Sequence, residues 1–284
     1  MKTVIVLLIY LIGAPIAGGL ISGLDRKLTA RMQGRIGPPL LQPFFDVLKL
    51  MDKEELVVRR SQNFYILFFL LFAVFSGGLF FTGGDLLLVI FAFTLAGIFF
   101  VLGGYKASSP YSFVGSNREL LQMVSYEPAV LLSAIGMYMV TGSFSVANII
   151  SFPGPLIVML PGLFISFFFI LAVKFRKSPF DISTSHHGHQ EIVKGITTEF
   201  SGRTLAMIEV AHWYELVLVL GLLYLFFAYK PAVGAAACLV SYFMVVLIDN
   251  AFARVKWQML MAVSWSAALL LGFGNILVLY FIPR

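Results

Sequence analysis

The sequence predicts an all-α polytopic membrane protein, with eight transmembrane helices and an interfacial amphipathic helix in the first cytoplasmic loop. Three observations predict it. Of 284 residues, 60% are hydrophobic and 12% charged, and the mean hydropathy is +0.93; soluble domains carry about 25% charged residues. The apolar runs are continuous over about 20 residues, enough to cross a hydrocarbon core of about 30 Å. An outer-membrane barrel needs alternating segments of ~10 residues instead. Finally, the basic residues cluster between alternate runs.

The runs fall at 3–24, 62–82, 86–104, 118–141, 155–175, 204–229, 232–252 and 258–281, within a single membrane domain covering 1–284. The first, MKTVIVLLIYLIGAPIAGGLI, has the pattern of a signal peptide, but seven further runs follow and it is read as a retained helix. No run pairs with another as a Gly/Pro-broken repeat of the transporter kind. Arg26, Lys27, Arg31, Arg35, Lys49, Lys53, Arg59 and Arg60 lie between runs 1 and 2. Lys106 and Arg118 follow run 3; Lys174, Arg176, Lys177, Lys194 and Arg203 follow run 5; Arg254 and Lys256 follow run 7. Alternating spans put all of these on one side, and Lys2, Lys230 and Arg284 on the other. The positive-inside rule then makes the basic side cytoplasmic and sets both termini outside a prokaryotic cell membrane.

In GPPLLQPFFDVLKLMDKEE, Leu40, Leu41, Phe44, Leu48 and Met51 share one helical face, and Gln42, Asp46, Lys49 and Lys53 share another. That pattern predicts a helix in the interface plane, either a surface anchor or the floor of a docking platform or lipid-like substrate entry. Cys238 is the single cysteine, inside an apolar run, and CxxC is absent. No metal or cofactor is expected on this chain, so any iron–sulfur or NiFe centre must belong to partners.

Carboxylates inside a membrane segment cost about 2.5–3.5 kcal/mol each on insertion scales, so they need a reason. GSNRELLQMVSYEPAVLL places Glu119 and Glu127 eight residues apart, about 12 Å along a helix, with Arg118 beside the first. RTLAMIEVAHWYELVLVL places Glu209, His212 and Glu215 at intervals of three, on one face. Asp249 closes run 7 ahead of Arg254 and Lys256. Each acid either pairs with a basic neighbour at the membrane boundary or belongs to a proton path. Burial raises carboxylate pKa values toward neutrality, and histidine titrates near pH 7, so such a set can carry protons.

SPFDISTSHHGHQEIVKGITTEFSG, residues 178–202, is the polar exception in this apolar chain. His186, His187 and His189 are close together but lack an accompanying thiolate or HExxH, so contact with a partner protein fits them better than a metal. GRIGPPLLQPFFDVLKLMDKEE, GSNRELLQMVSYEP, and SPFD followed by HQEIVKGITTEFSG resemble the signature stretches of the H subunit family of respiratory complex I, end to end. Ser183 to Gln190 stand where the quinone-reducing branch usually carries several acids, and His212 stands where it usually carries a carboxylate. Arg118-Glu119, Glu127-Pro128 and Asp249-Asn250 with Ala253-Arg254 resemble the energy-converting NiFe hydrogenases. SHHGHQEIVKGITTEFSGR is most similar to their Ech-type membrane subunit.

The resemblance implies a non-catalytic subunit of a ferredoxin-dependent hydrogenase that evolves hydrogen and translocates protons or sodium. The implied partners are an antiporter-like membrane subunit, NiFe hydrogenase large and small subunits and an iron–sulfur ferredoxin-like subunit. A proton path would use Asp181, Glu191 and Glu199, then Glu209, His212, Glu215, Glu127, Glu119 and Asp249, with Arg118, Arg254 and Lys256 as supporting charges. Arg26, Arg31, Arg35, His186, His187, His189 and Lys194 would dock the soluble arm. The alternative is a quinone-site subunit of an NADH-quinone-oxidoreductase-like complex.

Overall fold

A computed structural model describes residues 2–55, 60–177, 194–252 and 255–281. It is built from helices, and the described residues contain no strand beyond one isolated bridge between Asp85 and Ser145. The chain is a multi-pass membrane protein: among the described residues, seven helices are long and apolar enough to cross a membrane.

α1 (Lys2–Met32) runs eight residues past the expected end at 24, carrying Arg26, Lys27 and Arg31 on its last turns. The chain then reverses through Gly34 and Gly37, both at positive φ where glycine alone is unstrained. α2 (Gln42–Asp52) is the amphipathic segment; Pro43 occupies its first turn, where the missing N–H costs nothing. It buries Val47 and leaves Phe45, Leu48 and Met51 exposed. α3 (Arg60–Phe81) and α4 (Leu86–Lys106) are joined by Gly83, Gly84 and Asp85. Asp85 caps α4: its Oδ1 accepts the amides of Leu87 and Leu88 at 2.9 and 3.1 Å. α5 (Pro110–Thr141) has 32 residues, so Arg118 sits well inside a long helix rather than at its start.

The fifth expected span differs. Residues 155–175 form two helices, α7 (Leu156–Met159) and α8 (Pro161–Lys174), after a short α6 (Val146–Ser151). Leu160 at φ −121, ψ 42 leaves helical geometry, and Pro161 has no N–H to continue the ladder. α8, at 14 residues, spans about 21 Å, short of the ~30 Å hydrocarbon core. α9 (Gly202–Leu225) and α10 (Pro231–Ala251) follow, then α11 (Trp257–Ala267) and α12 (Gly274–Phe281), joined by a π-helical turn at Ala268–Phe273.

The chain divides into two compact units. The first comprises Met1–Gly78, Ala92–Leu120 and Asp181–Val217. Its core holds Tyr10, Ile66, Phe69, Phe100, Ile196, Ile208 and Tyr214. Close approach there depends on small residues. A Cβ on Gly18 would stand 2.6 Å from the Trp213 carbonyl, and the Tyr214 hydroxyl donates to the Leu11 carbonyl at 2.7 Å. The second unit comprises Leu79–Phe91, Leu121–Phe180 and Leu218–Arg284. In it the amides of Gly162 and Leu163 donate to Asn275 Oδ1 at 3.0 and 3.3 Å, which satisfies two amides that the start of α8 would otherwise leave unpaired.

Candidate functional site

In the first unit, three placements of ionisable groups stand out. On α2, Asp46 accepts Arg26 Nη1 at 2.6 Å and Gln42 Nε2 at 2.9 Å. Partial burial pulls the Asp46 carboxyl up, but these hydrogen bonds and the charges of Arg26 and Lys49 outweigh it and hold the carboxyl below its ordinary value of 3.8. A depressed carboxyl stabilises the fold above its unfolded pKa, and the gain is lost as pH falls through the folded value. Both side chains are more than one-third exposed, so water screens the pair to a few tenths of a kcal/mol. Asp46→Asn is therefore expected to lower the melting temperature slightly at pH 7 and not at all near pH 2, read by thermal unfolding at both pH values. Of the other expected docking residues, Arg31, Arg35 and Lys194 are exposed or partly so; Arg35 donates to Gln33.

The second placement is on α9. The His212 ring packs beside two phenylalanines that stack on each other: its centroid is 5.5 Å from those of both Phe69 and Phe100, and theirs are 4.9 Å apart. Its Nδ1 is 3.0 Å from Glu215 Oε2. The imidazole thus rests beside a stacked pair of apolar rings, with a carboxylate one turn away on the same helix. Glu209, three residues before it, is partly buried on the same helix. The third placement is on α5, where Arg118 is 9% and Glu119 is 7% exposed, both buried. Glu199 lies just before the start of α9.

In the second unit Glu127 is partly buried, and its neighbour Tyr126 receives Lys174 Nζ over its ring at 4.0 Å. Asp249 lies 3.5 Å from Lys177 Nζ, with both side chains largely buried. The sequence pointed to Arg254 as its basic neighbour; Lys177 is distant in sequence and only the packing of α8 on α10 brings it near. Lys256 is exposed at the start of α11. Asp181, His186, His187, His189, Glu191 and Arg254 lie outside the described residues. Sequence reasoning missed Lys174 and Lys177 as partners, counting them only as topology charges. It also missed Glu55, which Thr204 and Asn63 contact through hydrogen bonds, although Glu55 closes the GRIGPPLLQPFFDVLKLMDKEE stretch.

Residues 2–280 match the family model described as NADH dehydrogenase. The chain belongs to the NADH dehydrogenase family. Relatives within reach of direct alignment include the H subunit of NADH-quinone oxidoreductase from Syntrophotalea carbinolica, 29% identical over 89% of this chain and 88% of that one. NADH-ubiquinone oxidoreductase chain 1 of Mycosarcoma maydis is 30% identical over 75% of this chain and 70% of its own length. Hydrogenase-4 component C of Escherichia coli is 28% identical over 90% of this chain and 88% of its own length. Among solved structures, a chain of the membrane-bound sulfane sulfur reductase (MBS), an archaeal respiratory membrane complex, superposes with a TM-score of 0.86 over 98% of this chain and all of that one, at 22% identity. The two chains therefore share one fold across the whole length of the NADH dehydrogenase family match.

Proposed function

We propose that this chain is the membrane anchor and coupling subunit of an energy-converting NiFe hydrogenase of the Ech type. It would link ferredoxin-dependent hydrogen evolution in a soluble arm to translocation of protons or sodium. The observation that carries this reading is the His212–Glu215 pair on a membrane helix, with the imidazole packed beside the stacked Phe69 and Phe100 rings. A titratable imidazole in such a place costs free energy and is retained for a function. Support also comes from the near full-length similarity to Hydrogenase-4 component C.

In this role the chain holds no redox centre; iron–sulfur clusters and the NiFe centre sit on partners, which supply the electron chemistry. This chain's residues bind and move protons. Glu199, Glu209, His212, Glu215 and Glu119 in the first unit, and Glu127 and Asp249 in the second, accept and release them, with Asp181 and Glu191 at the entrance. Arg118, Arg254 and Lys256 stabilise the ionised forms through their fields. Arg31 and Arg35, with Arg26, Lys194, His186, His187 and His189, dock the soluble arm. The partners are an antiporter-like membrane subunit, large and small hydrogenase subunits, and a ferredoxin-like iron–sulfur subunit, in a prokaryotic cell membrane with both termini outside.

The test is gentle purification of the native complex, identification of its chains, and assay of hydrogen evolution from reduced ferredoxin. A NiFe large subunit with that activity supports the reading. The names of the NADH-quinone oxidoreductase relatives favour a second one, a quinone-site subunit; flavin- or quinone-dependent partners without a hydrogenase would establish it. Within the first reading, Glu127→Gln removes charge and keeps shape. The complex is expected to assemble, with ion transport per hydrogen cut at least about tenfold, equivalent to about 1.4 kcal/mol. An unchanged ratio in proteoliposomes would remove Glu127 from the path.

A further inference from the structure

We propose that the pocket lined by Glu55, Gln62, Asn63, Glu199 and Thr204 binds a hard monovalent cation, sodium. The pocket belongs to the first unit and shares only Glu199 with the proton path proposed above. Glu55 follows α2, Gln62 and Asn63 lie in the first turn of α3, and Glu199 and Thr204 bracket the start of α9.

The hydrogen-bond count is short of protons. Asn63 Nδ2 donates to Glu55 Oε1 at 3.0 Å. Thr204 Oγ1 is within hydrogen-bond reach of both Glu55 Oε1 and Asn63 Oδ1, the latter at 3.0 Å. A hydroxyl has one proton, so one of those oxygen pairs faces without a hydrogen between them. Gln62 is 2% exposed, and its Oε1 is buried with no hydrogen-bond partner among the described residues. Orphaned buried acceptors of this kind call for a donor, an ion or a water. The pocket is too tight for a bridging water to supply the missing donor hydrogen. A bare cation, ligated by oxygens at short range, needs less room.

Charge selects the ion. Among the described residues, two carboxylates line the pocket and no basic side chain does. The N-termini of α3 and α9 each bring about half a positive charge, which offsets about one of the two negative charges. The remainder matches one monovalent cation. The donor set is oxygen alone, which excludes soft metals and those that prefer imidazole.

The test is equilibrium binding of radioactive sodium ion to the purified full chain in nanodiscs, at constant ionic strength held with choline, with calcium as competitor. Wild type is expected to bind sodium saturably at one ion per chain. Gln62→Leu and Glu55→Gln should weaken binding at least about tenfold, while eluting as folded protein. Sodium should also raise the melting temperature of wild type and leave that of the variants unmoved. If those variants do not fold, Gln62→Glu keeps an oxygen and adds a charge, and is expected to shift preference from sodium toward calcium. Absence of saturable sodium binding in wild type, binding indifferent to these substitutions, or preference of wild type for calcium overturns the proposal. None of these readouts depends on ion transport, so the site can fail while the coupling role stands, and the reverse.

Discussion

Replacing His212 with phenylalanine is expected to abolish coupled ion transport while the complex still assembles. The substitution preserves an aromatic ring beside the stacked Phe69 and Phe100 and deletes the Nδ1 that sits 3.0 Å from Glu215. The largely buried Glu215 carboxylate then loses this partner inside a membrane helix, which costs about 1–3 kcal/mol. A loss of transport in this single variant is therefore consistent with either altered packing or a missing proton carrier. His212→Phe combined with Glu215→Leu separates the two. Removing both groups takes away the carboxylate that has lost its His212 contact, so stability is expected to return toward wild type. Transport is expected to stay lost, because the titratable pair at that level of α9 is gone. The measurement is ions moved per hydrogen evolved in proteoliposomes, alongside melting temperature. Recovery of both in the double variant would show that the pair is structural.

Gly115→Ala is expected to have the largest effect on folding. Alanine is the better helix former by about 1 kcal/mol, and Gly115 lies inside α5 with an ordinary helical backbone. Sequence propensity alone therefore predicts stabilisation. The packing predicts the opposite. A Cβ at this position would collide with the backbone amide of Ile196 and stand 2.6 Å from the Gly195 carbonyl carbon and 2.9 Å from Ile196 Cα. These are backbone atoms and cannot rotate aside. The 3₁₀ turn Gly195–Thr197 would be pushed from its seat, displacing Ile196, which is fully buried in the first unit's core. Overpacking of this sort costs about 1–3 kcal/mol, and more here because a turn must move. Gly13→Ala is the control: nothing lies within 4 Å of its Cβ position, so stability is expected to hold or rise slightly. Thermal unfolding of both variants in one detergent checks the pair. Equal behaviour of the two would show that the seat of Ile196 does not limit stability.

The contrast between Gly13 and Gly115 also marks where sequence reading stops. Both are glycines in helical stretches, and nothing local distinguishes them. The same limit applies to charges. Spacing along one helix is visible, so the pairing of His212 with a carboxylate three residues away could be anticipated, because i and i+3 share a face whatever the fold. Lys177 reaches Asp249 because α8 and α10 pack together, and spacing carries no information about that. Glu55 is next to Asn63 and Thr204 for the same reason: three segments converge at one corner of the first unit.

By itself the sequence determined the class, the helices and most of their limits, because apolar length and helical periodicity are local properties that a bilayer reads directly. The motifs, taken together, also carried the family. Three features escaped it: α1 runs on to Met32, α5 begins at Pro110, and in the fifth span hydropathy is blind to the backbone break at Leu160 and Pro161, so residues 155–175 became two shorter helices. Only the tertiary structure decided which glycines are contacts, which cations meet which carboxylates, and where unpaired oxygens gather around Gln62. Those are non-local facts, fixed by how helices pack, and close packing leaves each of them one answer.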